Sequence, residues 1–292
     1  MDVECDHCRA LHWKDELALK ATGNRFESCC KKGALVLNPF KQPPALLHRL
    51  LTDQNARGQA FRKNLRRYNA AFAFTSTECE TTDRGLPEGA NCFQIHGALY
   101  HSTGPLDPIP GKRPRYAQIY FHDPQEATAI RYDSNNGLDQ QVLGQITAML
   151  HGIRNPYIGL YKTARERLQQ TFSTDPVRIL LNPRMQLIME TGADRRRENL
   201  PTVNEVAAIV PDNLDDTRER EVIITERNQN GQINNSFHHI PCTHPAYMPL
   251  AYPLLFPHGD LGFHWGLRLQ NVFPNEAHNR GKKVSLRFKM LF

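Results

Sequence analysis

Four cysteines gather at the front of the chain, as Cys5-x-x-Cys8 followed by the adjacent pair Cys29-Cys30. A stretch this short cannot bury a sizeable core, so something other than apolar packing must hold it together. Thiolates set around a tight turn favour a tetrahedral zinc site, and the metal then supplies folding energy. The expected ligands are Cys5, Cys8, Cys29 and Cys30. Neighbouring residues of an extended chain point in opposite directions, so Cys29 and Cys30 need not both reach one ion. That leaves His7 and His12 open as the fourth ligand. Cys79, Cys92 and Cys242 stand alone and read as core residues. The seven cysteines are odd in number, and Met1-Asp2-Val3-Glu4-Cys5 lacks a basic and apolar leader. The expectation is an intracellular protein without a disulfide framework.

Beyond this unit, assigned to residues 1–38, the Pro39-Phe40-Lys41-Gln42-Pro43-Pro44 joint leads into a helical segment, residues 39–90. Leu47, Leu50 and Leu51, then Phe61, Leu65, Tyr68 and Phe72, recur at helical spacing, with Gly58 as the expected break. An α+β body over residues 91–265 follows. Its expected strands are Cys92–His96, Ala98–His101, Ala117–His122, Val177–Leu181, Val206–Val210 and Glu221–Thr225, the last paired through Asn230-Gly231 with Ile233–Phe237. Its expected helices run from Leu138 to Leu150, capped by Asn136 or Gly137, and from about Tyr157 to Gln169. The aromatic and Pro-rich run from Pro241 to Phe263 reads as an ordered loop or short helix. Residues 266–292 form a basic tail. No run approaches the ~20 apolar residues of a membrane span.

Cationic charge is segregated. Between Ala45 and Tyr68, Arg49, Arg57, Arg62, Lys63, Arg66 and Arg67 face a single acid, Asp53. From His264 to Phe292, Arg268, Arg280, Lys282, Lys283, Arg287 and Lys289 face only Glu276. Such segments suit a polyanion, because neutralising phosphates releases counterions. Arg62, Lys63, Arg66 and Arg67 are the expected phosphate contacts. Trp13 and Tyr68 have the chemistry to stack on unpaired bases, although core packing accounts for Tyr68.

Catalytic signatures are missing from the sequence. Gly111-Lys112-Arg113 and Gly281-Lys282-Lys283 lack the upstream glycine and the hydroxyl residue of a nucleotide-binding loop. His238, His239, His244, His258, His264 and Asp260 are rich in metal-ligand chemistry but follow no HExxH or 2-His-1-carboxylate spacing. The pairs Tyr116/Tyr120 and Tyr157/Tyr161 each share a face, which packing explains, and no His–hydrophobic–His pair is present to hold a metal beside them.

Several motifs follow one another in a recognisable order: Cys5-x-x-Cys8-x-Ala10-x-x-Trp13-x-x-Glu16, Phe26-x-x-Cys29-Cys30-x-x-Gly33, Phe61-Arg62-x-x-Leu65-Arg66-x-Tyr68-Asn69, and Phe93-x-Ile95-x-Gly97-x-x-Tyr100-His101-x-x-Gly104-Pro105-Leu106. Asn199-Leu200-Pro201-Thr202-x-Asn204-Glu205 and His244-Pro245-x-Tyr247-x-Pro249-Leu250-x-Tyr252-Pro253 continue the series. Taken in order, they resemble the N-terminal region of Helitron Rep/helicase proteins, the rolling-circle transposases. The resemblance implies a nuclear protein of a transposable element, in which a His–hydrophobic–His nuclease and a helicase come after the matching part. It brings no catalytic residue to this chain. The expected function is therefore non-catalytic: binding or positioning transposon DNA, with zinc as a structural cofactor. One alternative is a scaffold that packs on the nuclease and helicase domains without touching DNA. A His-ligated metalloenzyme is the third reading.

Overall fold

A computed structural model describes residues 2–17, 22–35, 40–83, 93–171, 176–191, 198–200, 221–227 and 237–262. The expected strand Val206–Val210, the Asn230-Gly231 turn and the basic tail lie outside the described residues. The architecture is α+β, as expected, and the chain divides into two compact units. No helix among the described residues is long and apolar enough to cross a membrane.

The first unit includes Met1–Gln42. Its strands β1 (Val3–Glu4) and β2 (Leu11–His12) form an antiparallel hairpin, and the one-turn helix α1 (Glu27–Cys30) follows. Its small core consists of Cys5, Phe26, Cys29, Cys30 and Leu35. Three of those five are thiols, which agrees with a unit that apolar packing alone does not sustain.

The second unit begins at Pro43. Helices α2 (Ala45–Thr52), α3 (Ala56–Lys63) and α4 (Leu65–Phe72) open it. Strands β3 (Ser76–Asp83) and β4 (Phe93–Thr103) pair antiparallel, in a register from Ser76 opposite Ser102 to Asp83 opposite Phe93. Three longer helices follow, α5 (Pro124–Ser134), α6 (Gln140–Gly152) and α7 (Pro156–Gln170). A four-stranded antiparallel sheet, in the order β7-β6-β5-β8, is built from β5 (Val177–Leu181), β6 (Leu187–Thr191), β7 (Glu198–Leu200) and β8 (Val222–Arg227). The short strand β9 (His238–His239) joins β4, and helix α8 (Tyr247–Ala251) lies in the expected Pro-rich region. One apolar core unites Leu47, Phe61, Phe72, Tyr120, Ile146, Tyr161, Ile179 and Ile224. The helices before residue 73 thus share a core with the body that follows, instead of forming a layer of their own.

Local chemistry explains where the long helices begin. The Asp123 carboxylate accepts the N–H groups of Gln125 and Glu126, and Pro124 needs no partner in the first turn. Asp139 accepts from Gln141 and Val142, and Asn155 from Tyr157, again just before a proline. Asp139, not Asn136 or Gly137, therefore caps α6. The Asn136 carbonyl instead takes a hydrogen bond from Arg67.

Three further expectations are corrected. Gly58 does not break a helix: it is buried inside α3, where a Cβ would stand 2.4 Å from the Asp53 carbonyl oxygen. The breaks fall on Asp53-Gln54-Asn55 and on Asn64. Residues Tyr116–Phe121 form a 3-10 helix, with Ala117, Gln118, Ile119 and Tyr120 buried in succession, a pattern no half-exposed strand can give. The Gln118 amide closes that turn, accepting from Arg115 N–H at 2.9 Å and donating to the Pro105 carbonyl at 2.8 Å. Finally, the expected pair of strands joined at Gly97 is one strand, β4, whose pairing with β3 shifts register between His96 and Tyr100.

Among the described residues, the largest fully buried side chain is a cation. Arg131 is 1% exposed, and its guanidinium lies 4.5 Å from the Phe72 ring centroid and 4.7 Å from that of Tyr120. Nε donates to the Ala71 carbonyl at 3.1 Å, and Nη1 to the Ala127 carbonyl and the Thr147 hydroxyl, both at 3.4 Å. No carboxylate pairs with it among the described residues. Burial lowers its pKa and raises that of Tyr120 to about 12. Tyr157 and Tyr161 are equally enclosed, with their hydroxyl groups pushed up by burial, so both serve the core.

Replacing Arg131 by Ala leaves a cavity and the unpaired Ala71 carbonyl, and is expected to destabilise by about 3 kcal/mol in urea unfolding. Arg131→Lys, which keeps the charge but loses the planar fork, should recover less than half of that. Acid should weaken the fold as well. Burial pushes His101, His151 and His238 below the usual 6.5. The unfolded chain then binds protons that the native state refuses. Stability is full above the unfolded pKa and declines as pH falls through it, so the urea midpoint should drop between about pH 7 and about pH 5.

Candidate metal centre and nucleic-acid interface

The four expected cysteines converge. The Sγ atoms of Cys5, Cys8, Cys29 and Cys30 all lie within 4.8 Å of one another, and this cluster can hold a metal ion. Cys5–Cys30 and Cys29–Cys30 are each 3.7 Å apart. A tetrahedral zinc tetrathiolate with Zn–S of about 2.3 Å has edges of about 3.8 Å, so the spacing fits that donor set. Cys5, Cys29 and Cys30 are buried, and Cys8 is half-buried.

The difficulty of two adjacent ligands is resolved by backbone conformation. Cys29 and Cys30 end α1, where successive side chains diverge by about 100°, not 180°, so both reach one point. Lys31 and Lys32 then adopt left-handed backbone, with φ of 50° and 57°, and Gly33 follows at 90°. This turn aims the Gly33 N–H at Cys30 Sγ, 3.2 Å away. A Cβ on Gly33 would also meet the His7 ring at 2.6 Å. On the other side of the cluster, Arg9 is left-handed at φ 61° and donates its N–H to the Cys5 carbonyl, which closes the Cys5-x-x-Cys8 turn.

Neither histidine belongs to the cluster. The His12 ring stacks on Phe26 at 3.9 Å, and its Nδ1 lies 2.9 Å from Glu16 Oε2. His7 packs against Gly33. Four thiols are sufficient.

The thiols differ in character. Burial alone would raise Cys5, but the N–H groups of Cys8 and His7 and the thiols of Cys29 and Cys30 bring it down to about 7. Burial pushes Cys29 well up, helped by the neighbouring Cys8 and Cys5 thiols, and raises Cys30 to about 12 against the opposing Gly33 N–H. Without a cation, four ionised sulfurs cannot share this volume. A divalent ion would supply the missing positive charge.

The rival histidine cluster does not assemble. Among the described residues, the thiols form the one group of three or more metal-ligand side chains brought together, and His238, His239, His244, His258 and Asp260 contribute no such group. His264 lies outside the described residues. The His244 Nδ1 instead accepts the Ala246 N–H at 3.1 Å. Cys242 is exposed, contrary to the expectation of a core residue, while Cys92 and the Cys79 side chain lie outside what is described.

The expected phosphate-binding cations divide into two kinds. Lys63 and Arg66 are exposed, as is Arg49 on α2, and none forms an ion pair among the described residues. Arg62 is only partly exposed, and its Nη1 donates to the Leu51 and Asp53 carbonyls at 3.2 and 2.7 Å, closing the C-terminal end of α2. Arg67 donates to Asn64 Oδ1 and to the Asn136 carbonyl. Arg62 and Arg67 thus have structural duties that helical periodicity does not reveal. Tyr68 is core, its oxygen accepting the Asp139 N–H at 3.0 Å, whereas Trp13 is 56% exposed.

Comparison of the sequence with protein-family models and with curated proteins gives no match.

Purified protein is expected to contain about one zinc per chain by elemental analysis. Cys5→Ser/Cys8→Ser should lose it together with part of the folded signal. Metal content unchanged in that double variant would remove the site.

Proposed function

We propose that this chain is the non-catalytic N-terminal region of a Helitron-type rolling-circle transposase, acting in the nucleus to bind or position transposon DNA. The observation that carries the reading is the cationic surface of α2, α3 and α4, where Arg49, Lys63 and Arg66 stand exposed with no acid partner among the described residues. Unneutralised cations of this kind suit phosphate oxygens. The ordered motif resemblance and the four converging thiols support the same assignment. Zinc at Cys5, Cys8, Cys29 and Cys30 serves folding, while Arg62, half-buried, and Arg67, exposed but hydrogen-bonded to Asn64 and the Asn136 carbonyl, brace the helices that carry the cationic surface. Strand cleavage and nucleotide hydrolysis belong to the nuclease and helicase of related full-length proteins.

A second reading, a scaffold that packs on those domains without touching DNA, is favoured by Leu11 and Trp13, each 56% exposed on the first unit. Salt titration separates the two. For a duplex oligonucleotide, log K should fall with log salt, and Lys63→Ala/Arg66→Ala should flatten the slope by about 2, near 0.9 for each phosphate left without its cation. A slope near zero for the wild-type chain would leave only the scaffold.

A further inference from the structure

Helix α3 has two dissimilar sides. Gly58 and Phe61 are buried, Arg57 Nη2 donates to Gln145 Oε1 at 2.9 Å, and Arg62 is spent on the carbonyls at the end of α2. The other side carries Ala56, Gln59, Ala60 and Lys63, all exposed. Their i, i+3, i+4, i+7 spacing makes one continuous face. It holds two methyl groups, one amide, one ammonium and no carboxylate. With side chains this short at two of four positions, a partner can approach the helix closely.

We infer that α3 enters the major groove of duplex DNA and reads an adenine edge through Gln59. The inference rests on the DNA-binding reading above and adds the strand state and the reading residue. A glutamine amide pairs with adenine N6 and N7, and alanine methyl groups pack against the thymine methyl. Gln59 Nε2 already donates to the Gln54 carbonyl at 2.7 Å. That bond fixes the amide while leaving its second N–H and its Oε1 without a partner among the described residues, the two groups that adenine requires. Two eight-residue helices joined over Asp53-Gln54-Asn55 follow the plan in which the second helix lies in the groove. Charge agrees with the occupant. Arg49 on the helix before and Arg66 on the helix after are exposed cations, and the only acid between Ala45 and Tyr68, Asp53, sits in the turn.

The test is selection from a randomised duplex pool by the full chain, with the wild type, Gln59→Ala and Lys63→Ala compared. Gln59 is exposed, and circular dichroism checks that each variant keeps its fold. The wild type should enrich duplexes with a fixed A·T pair. Gln59→Ala should lose roughly ten-fold of that preference at one or two positions while its salt slope stays unchanged. Lys63→Ala should keep the preference but weaken all duplexes alike and flatten the slope by about 1. Enrichment that survives Gln59→Ala, no enrichment by the wild type, or tighter binding of single strands than of duplex overturns the groove assignment. Loss of salt dependence altogether overturns the DNA reading beneath it, a separate result.

Discussion

The second unit depends on a buried cation that no acid among the described residues balances. Arg131 ties three helices together through carbonyl and hydroxyl oxygens and lies between two aromatic rings. Desolvating a guanidinium is expensive, and ring faces with well-aimed acceptors offset only part of that penalty. Such an arrangement is sustainable where every surrounding group is fixed. It therefore demands a well-ordered interior, and Tyr120, whose hydroxyl donates to the Phe72 carbonyl at 2.6 Å, helps supply it.

The order of the interior reaches the surface through α4. Arg131 holds the Ala71 carbonyl at the end of that helix, and Phe72 packs beneath the guanidinium. At the other end, Asn64 joins α4 to α3 with a single residue between them. Exposed Lys63 and Arg66 straddle this junction, so their spacing is set by the backbone and not by flexible linkage. The Arg62 fork performs the same service between α2 and α3. Cations within one run of sequence thus take unlike roles, some securing the frame and some facing solvent.

This division marks the limit of what a linear reading captures. Helices α6 and α7 were legible because their apolar spacing is local, whereas the cap of α6, Asp139, was not, since Asn136 and Gly137 nearby are also favoured caps. The thiol cluster was legible because ligand chemistry restricts the possibilities so strongly. By contrast, Arg62 differs from Lys63 only through carbonyls nine to twelve residues away. The duty of Arg131 depends on oxygens up to sixty residues distant. The alternation of Ala117–His122 was misleading for a related reason: Gln118 makes local bonds that favour a tight turn, and burial on all sides removes the penalty of hiding both faces.

The turn after Cys30 places two lysines in succession in left-handed backbone, a conformation that disfavours each by roughly 1–2 kcal/mol. Such a kink persists only while its ends are clamped, and the clamp here is the sulfur cluster. An ion held by these four thiols would tighten that clamp, and its loss would let the Lys31-Lys32 segment relax toward ordinary backbone.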